Sequence, residues 1–319
     1  DIAVKNGFVW EVTIPKLASP ENIDTYNLTL KAPKEIGSVA NIAPAPVASG
    51  TEGGFNTFTY NKDLLSKSGV NASFGDHQVF NFNLKYHLAN NKIFPVVETI
   101  ALPPDTEIQT VNYNSLTPKP QEITVDTDGN YLAKYRLDGN QKLDIALVGQ
   151  VRIWNKPTNP SRTEWTTDQL RKFTVPDKYW ETNFPSIMDK AKELKTAKAI
   201  YDYVSTNLKY DYERAAGKLE RLGASVAIAQ PTQAVCMEYT DLFIAMARSA
   251  GIPARELDGF AYTTNAKLKP RSFSGGNSSD TKSDSLHAWP EYWNSDLKTW
   301  VQIDPTWGST TGGVDYFTK

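Results

Sequence analysis

The first half of the 319-residue sequence consists of short β-rich segments separated by turn residues. Within the segments, aromatic and β-branched residues are frequent, and Pro, Gly, Asn and Asp fill the gaps between them. Many short strands at this spacing are typical of a β-sandwich, in which two sheets pack face to face. The predicted strands are Phe8–Ile14, Thr25–Lys31, Phe55–Tyr60, Val79–Leu88, Glu107–Tyr113, Tyr131–Leu137 and Leu143–Ile153.

This pattern ends near residue 155. The segment Asn155–Ser161 is rich in Pro and Asn and is the natural linker. Apolar residues then recur at helical spacing, at about Asp168–Phe173, Ser186–Leu194 and Ala197–Leu208. We therefore predict an α+β chain, with β-sandwich structure over residues 1–155 and a second domain that mixes helices and strands over residues 163–319.

The only cysteine of the chain, Cys236, opens a predicted buried helix. Apolar residues recur at helical spacing behind it, at Tyr239, Phe243, Met246 and Ala250, and Gly251 and Pro253 end the helix. Unpaired N–H groups and a partial positive charge at a helix start favour a thiolate and can receive an oxyanion. The structural alternative is a small apolar core residue, which is the commoner role of a lone cysteine.

A thiolate nucleophile needs a base and a group that orients the base. Among three histidines, His287 lies in a β-rich segment that is followed by a turn and by a second strand leading to Asp304. A hairpin that turns at residues 295–296 places His287 opposite Asp304 or its neighbour, and pairs Trp293 with residue 298 or 299. Opposed residues on antiparallel strands lie about 4.5–5.5 Å apart, so this hairpin would bring an imidazole to a carboxylate.

Each of these residues also has a purely structural interpretation. His287 could be a strand histidine that packs against Trp289, and Asp304 could begin a turn before Pro305. Taken together, however, the cysteine at a helix start and the histidine opposite an aspartate favour a nucleophilic site.

Four segments of the second half, three of which contain the residues just described, follow one another in the order found in a family of cysteine enzymes. They are Thr196–Val204 leading to Leu208–Asp211, the Cys236 helix running into Gly251–Arg255, His287–Trp289, and Asp304–Trp307. In this order residues 165–319 resemble the transglutaminase-like core superfamily of papain-like cysteine enzymes. The resemblance implies Cys236 as nucleophile, His287 as general base and acid, and Asp304 as the residue that orients His287. Many members carry a glycine shortly before the cysteine, where this chain has Ala234-Val235, so that the approach to the sulfur could be narrowed.

Several residues are candidates for the oxyanion site and the substrate cleft. The backbone N–H of Cys236 is the main candidate donor, and Gln230 precedes it at a spacing similar to that of the oxyanion glutamine in papain-type proteases. An exposed loop glutamine is the alternative for Gln230. Since transglutaminases use an aromatic side chain for this purpose, Tyr210 and Trp289 are further candidates. Tyr210, Trp289 and Trp307 are also the expected aromatic residues of the cleft.

Composition excludes some partners and leaves others open. The net charge is −2 without a basic cluster, which argues against nucleic-acid binding, and the histidines show no metal-ligand spacing. We expect no metal and no cofactor. No apolar run approaches the roughly 20 residues of a membrane span. Because the sequence starts at Asp1 without methionine, we expect a piece of a longer protein, whose other segments could supply a signal peptide or membrane anchor. Glycosylation sequons at Asn27, Asn71 and Asn277 fit an extracellular or cell-surface setting.

The expected chemistry is acyl transfer from a peptide or carboxamide bond through a thioester on Cys236. Water would then make the chain a cysteine protease or amidase, which we favour, and an amine would make it a transglutaminase. Its partner would be a peptide or protein substrate, and the oligomeric state is left open. Arg271–Ser285, just before His287, would be a lid or a passive connection. The alternative from another class is a catalytically silent surface protein that binds peptide or glycan.

Overall fold

The computed structural model describes residues 2–156, 158, 165–215, 220–261, 285–310 and 316–317. Most of the predicted linker and of the segment Arg271–Ser285 lies outside these residues. The chain divides into two compact units, residues 1–42 with 46–163 and residues 43–45 with 164–319. The first unit is rich in strands and the second mixes helices with strands, which confirms the α+β fold class. The limits proposed for the two domains, residues 1–155 and 163–319, stay predictions.

The first unit begins with two sheets that share one core. One sheet has the strand order β1-β2-β7-β4 and the other β3-β6-β5. Tyr60, Val70 and Phe74 are fully buried between the sheets. The elements are β1 Ala3–Asn6, β2 Val9–Ile14, β3 Asn27–Pro33, β4 Val39–Ala43, β5 Ala48–Glu52, β6 Phe55–Asn61, β7 Val70–Phe74 and the helix α1 Lys62–Lys67, with short 3-10 helices at Pro20–Asn22 and Lys34–Ile36.

A second pair of sheets follows with a core of its own. Their strand orders are β10-β13-β8 and β11-β12-β9, and Leu137, Ile145 and Leu147 are fully buried between them. The strands are β8 His77–Ala89, β9 Val96–Leu102, β10 Gln109–Thr117, β11 Glu122–Val125, β12 Tyr131–Leu137 and β13 Lys142–Trp154. The strand-rich half thus contains two pairs of packed sheets, and each pair encloses its own hydrophobic core.

Only two residues, Gly75 and Asp76, connect the two pairs of sheets between β7 and β8. Asn155, which follows β13, holds this connection. Its backbone N–H donates to the Asp76 carbonyl at 3.1 Å. Its side-chain amide donates to the Gly75 carbonyl at 2.7 Å and to the Ser38 hydroxyl at 2.8 Å. The end of the second pair of sheets is therefore hydrogen-bonded to the first pair.

The second unit is arranged around one buried helix, α7 (Cys236–Ser249). It packs against α3 (Pro185–Leu194), α4 (Ala197–Asn207), α6 (Ala224–Ala229) and β15 (Ser285–Asn294). Six consecutive residues of α7, from Leu242 to Ala247, are fully buried. The elements are α2 Thr167–Arg171, a 3-10 turn Lys172–Thr174, α3 Pro185–Leu194, α4 Ala197–Asn207, α5 Tyr212–Ala215, α6 Ala224–Ala229, α7 Cys236–Ser249, β14 Ala254–Ala261, β15 Ser285–Asn294, β16 Thr299–Gln302 and α8 Pro305–Thr310. The three strands form one antiparallel sheet in the order β14-β15-β16. In the part of the chain that the structure describes, no helix has both the length and the apolar character needed to span a membrane.

Candidate active site

Cys236 is the first residue of α7, and a buried ion pair fixes this helix start. The Glu238 carboxylate, in the first turn, accepts a hydrogen bond from the Val235 N–H at 3.0 Å. Arg214 donates to both oxygens of that carboxylate, at 2.6 and 3.0 Å. The Cys236 side chain is buried, with 4% of the residue exposed. Its own N–H makes no hydrogen bond to any described residue, as expected for the first turn of a helix, and is free to meet an oxyanion.

His287 on β15 connects the cysteine to a carboxylate. Its Nε2 lies 2.7 Å from Asp304 Oδ2, and both side chains are largely buried. The Cys236 side chain is close enough to His287 to raise the pKa of the imidazole, through hydrogen bonding and through its charge. Because Asp304 occupies Nε2, Nδ1 is the nitrogen left to interact with the sulfur. The three side chains predicted to act together are therefore in contact in the order Cys236, His287, Asp304.

The surroundings of His287 keep its imidazole protonated. Burial lowers its pKa, but the hydrogen bonds and charges of Asp304 and Cys236 outweigh burial and raise the pKa from 6.5 to about 10. The positively charged form therefore prevails at neutral pH. An imidazolium next to the sulfur and a helix start beneath it are the surroundings in which cysteine acts as a nucleophile.

Asp304 reaches His287 by a route that differs from the predicted hairpin. Trp293 pairs with Trp300 rather than with residue 298 or 299, because the turn uses four residues, Ser295–Lys298. The Asn294 side chain accepts hydrogen bonds within this turn, and Lys298 adopts a left-handed backbone with φ 52°. Strand β16 then ends at Gln302, two residues before Asp304.

The placement of Asp304 on a strand adjacent to His287 is therefore wrong, although the two side chains meet. Asp304 directly precedes α8, and its Oδ1 accepts a hydrogen bond from the Trp307 N–H at 3.0 Å. The carboxylate thus caps the start of a helix with one oxygen and contacts His287 with the other.

Two of the candidate oxyanion donors have different surroundings. Gln230 follows α6, and its exposed side chain makes no hydrogen bond to the other described residues. Tyr210 forms an isolated bridge with Ala234, two residues before Cys236. Burial and the nearby Cys236 charge raise the pKa of Tyr210 well above its usual value, so its hydroxyl is a neutral donor. Tyr210 is therefore close enough to Cys236 for the charge of the sulfur to affect its pKa.

Two tryptophans border His287. The rings of Trp289 and His287 are stacked, with centroids 5.8 Å apart and an angle of 22° between the planes. The Trp307 ring approaches His287 edge-on at 6.5 Å. The Trp289 N–H donates to Gln302 Oε1 at 3.2 Å and is thereby already engaged, which makes this indole a poor oxyanion donor. The cleft roles of Trp289 and Trp307 stay predictions.

Sequence reasoning missed the residue that joins the cysteine helix to the histidine strand. Thr240, one turn after Cys236, donates its hydroxyl proton to the carbonyl of Ala288, the neighbour of His287, at 3.1 Å. Nothing local marks this contact, because its partners are 48 positions apart. Glu238 could have been found, since a glutamate at the third position of a helix is a capping signal. Its partner Arg214 carries no such signal.

The described residues contain no group of three or more His, Cys, Asp or Glu side chains arranged to hold a metal ion. A groove of about 540 Å³ lies in the first unit and is lined by residues such as Phe8, Lys34 and His77. None of the predicted site residues lines this groove.

Residues 184–305 match the family model of the transglutaminase-like superfamily, and this stretch contains Cys236, His287 and Asp304. The resemblance predicted for the second half of the chain is thereby confirmed. No curated protein matches the chain significantly.

Three solved structures with similar chains come from two bacteria. One is a Cytophaga hutchinsonii protein assigned provisionally to the cysteine proteases, with 17% identity, a TM-score of 0.49, and coverage of 75% of this chain and 81% of that one. The periplasmic domain of TgpA from Pseudomonas aeruginosa bound to ethylmercury shows 15% identity, a TM-score of 0.39, and coverage of 75% and 80%. The same domain in a second structure shows 15% identity, a TM-score of 0.38, and coverage of 70% and 75%.

Proposed function

We propose that the transglutaminase-like domain of this chain catalyses acyl transfer from peptide or carboxamide bonds through a thioester on Cys236. One observation carries the proposal. A single imidazole, His287, contacts a cysteine at a helix start through one nitrogen and a carboxylate through the other. This is the arrangement that a thiol nucleophile needs, because the base is held within reach of the sulfur and its tautomer is fixed.

The reaction begins when the Cys236 thiolate attacks the substrate carbonyl carbon. A C–S bond forms and the carbonyl electrons move to oxygen, where the Cys236 N–H and the Tyr210 hydroxyl are the proposed donors. When this intermediate collapses, the C–N bond breaks and His287 Nδ1 gives its proton to the leaving amine. A thioester remains on Cys236, and His287 is neutral and able to act as a base.

Hydrolysis completes the proposed reaction. Neutral His287 takes a proton from water, the resulting hydroxide attacks the thioester, and the C–S bond breaks to release a carboxylic acid and the Cys236 thiolate. An amine in place of water would give a new amide and make the chain a transglutaminase. We favour a protease or amidase, because water is always present whereas an amine must be bound as a second substrate.

The test is turnover of peptide and glutamine-donor substrates with and without an added primary amine. Release of acid that depends on Cys236 supports hydrolysis, and incorporation of the amine supports transamidation. Cys236→Ala serves as the control, and mass spectrometry of the trapped protein should show one acyl group on Cys236. Turnover that survives Cys236→Ala would exclude the covalent mechanism.

The second candidate is a catalytically silent protein that binds peptide or glycan. It is favoured by the burial of the sulfur, since Cys236 is only 4% exposed and the preceding residues Ala234 and Val235 are fully buried. Alkylation by iodoacetamide separates the two candidates without any substrate. At neutral pH an activated thiol should react faster than the cysteine of a short unstructured peptide, whereas a closed, silent site should react more slowly.

The proposal includes an extracellular or cell-surface setting. The asparagines of two sequons, Asn27 and Asn71, are exposed on strands of the first unit, whereas Asn277 lies outside the described residues. Fractionation of the producing cells, followed by detection of this chain, tests the setting. Recovery only with cytoplasmic proteins would refute it.

A further inference from the structure

One indole lies across all three strands of the sheet that carries His287. On the β14 side, the Trp289 ring covers Gly259, where an added Cβ would be 2.7 Å from Trp289 Cη2. On the β16 side, the Trp289 N–H donates to Gln302 Oε1 at 3.2 Å. The ring therefore has a fixed place, because Gly259 leaves room for one end of it and Gln302 holds the other.

The same ring also borders the imidazole of His287. His287 and Trp289 are two residues apart on β15, so their side chains share one face of the sheet. Their rings stack at 5.8 Å. Gly259 is directly opposite His287 in the β14–β15 ladder, so no side chain from that position separates the two rings. The indole thus occupies the space on one side of the imidazole.

We propose that Gln302 is a positioning residue that keeps His287 in its productive orientation by fixing Trp289. The proposal rests on the function proposed for Cys236. His287 must face Asp304 with Nε2 and Cys236 with Nδ1 at the same time, and a rotation of the imidazole weakens at least one of these contacts. Among the described residues, Gln302 makes no hydrogen bond to Cys236 or His287, so its influence passes through the indole.

Loss of the Gln302 acceptor would leave the indole N–H without its partner and allow the ring to turn. A group displaced by about 1 Å can slow a reaction by about 100-fold. We therefore expect Gln302→Leu, which has a similar size but no acceptor, to slow alkylation of Cys236 at pH 7 by about 10- to 100-fold. Gln302→Glu keeps an acceptor oxygen and should retain most of the wild-type rate.

Two measurements on the full chain test the proposal without any substrate. The first is the rate of Cys236 alkylation by iodoacetamide between pH 5 and about 10. The second is the NMR titration of His287, whose pKa of about 10 should fall in Gln302→Leu because the imidazole no longer holds both partners. A purely structural role of Gln302 would lower the denaturation midpoint and leave the titration unchanged.

Gly259→Ala provides an independent variant that keeps the Gln302 acceptor. Its methyl group would push on the indole from the β14 side, so the rate and the titration should change in the same direction as in Gln302→Leu. This variant decides the question if Gln302→Leu does not fold. Wild-type behaviour of both properties in a folded variant overturns the inference. A wild-type chain that reacts no faster than a free peptide thiol would instead refute the proposed function.

Discussion

Replacement of Asp304 by asparagine separates the two tasks of this carboxylate. Asparagine keeps an oxygen for the Trp307 N–H, so the start of α8 stays capped, but it removes the negative charge next to His287. The rise of the His287 pKa from 6.5 to about 10 corresponds to about 5 kcal/mol in favour of the imidazolium. If Asp304 and Cys236 share this equally, Asp304→Asn should cost about 2–3 kcal/mol of stability at pH 7. Asp304→Ala should cost about 1 kcal/mol more, because it also removes the cap.

NMR titration of the histidines measures the electrostatic part directly. The chain has only three histidines, and His77 and His87 lie in the first unit, so they provide internal references. The His287 midpoint should fall clearly below about 10 but stay above 6.5, since Cys236 still stabilises the imidazolium. Turnover should fall by up to about 10⁴-fold, the loss seen for the equivalent change in a Ser-His-Asp triad.

Two results would refute this reasoning. One is a His287 midpoint that does not move in Asp304→Asn, which would mean that the carboxylate does not set the charge of the imidazole. The other is equal stability of the asparagine and alanine variants in urea denaturation, which would mean that the helix cap contributes nothing.

Three further predictions concern the same unit. Cys236→Ala should abolish alkylation and turnover and cost about 3–4 kcal/mol, because it removes a small buried volume, worth roughly 1 kcal/mol, and the Cys236 share of the imidazolium stabilisation; urea denaturation and mass spectrometry of labelled protein check both parts. The free energy of unfolding should decrease as the pH rises from about 6.5 to about 10, because folded His287 keeps a proton that the unfolded chain loses. Denaturation curves measured across this pH range should show this decrease, and an increase in the free energy of unfolding would contradict the prediction. Arg214→Met should cost about 3–5 kcal/mol, since it leaves the Glu238 charge buried without a partner, and adding Glu238→Gln should recover part of this loss.

The elements that carry the site could be predicted from short stretches of sequence. Apolar spacing behind Cys236 predicted α7, and α2, α3 and α4 were placed to within a few residues, whereas the short helices α5 and α6 were not predicted. The hairpin that carries His287 was also predicted, but not its register. Register depends on the length of the turn, and the left-handed backbone at Lys298, which lengthens this turn, is unusual for a lysine.

The remaining features depend on contacts between distant parts of the chain. Thr240 and Ala288, or Arg214 and Glu238, become neighbours only after the helices and the sheet have packed. In the first unit, seven strands were predicted, but others were missed, among them β5, which contains no large apolar residue, and β11, which has only four residues. Without them, the two separate cores could not be distinguished.

The way in which Asn155 fastens the two pairs of sheets has a mechanical consequence. Neighbouring domains joined by a flexible linker ordinarily move relative to one another, and tension along the chain first extends the linker. Here the linker has only two residues, Gly75 and Asp76, and the carbonyls of both accept hydrogen bonds from Asn155. Tension between the two pairs of sheets would therefore act on these hydrogen bonds of Asn155 before either hydrophobic core began to unfold. In a single-molecule pulling experiment, the first event should be a short extension as these hydrogen bonds break, and Asn155→Ala, which keeps only the backbone bond to Asp76, should lower the force at which it occurs.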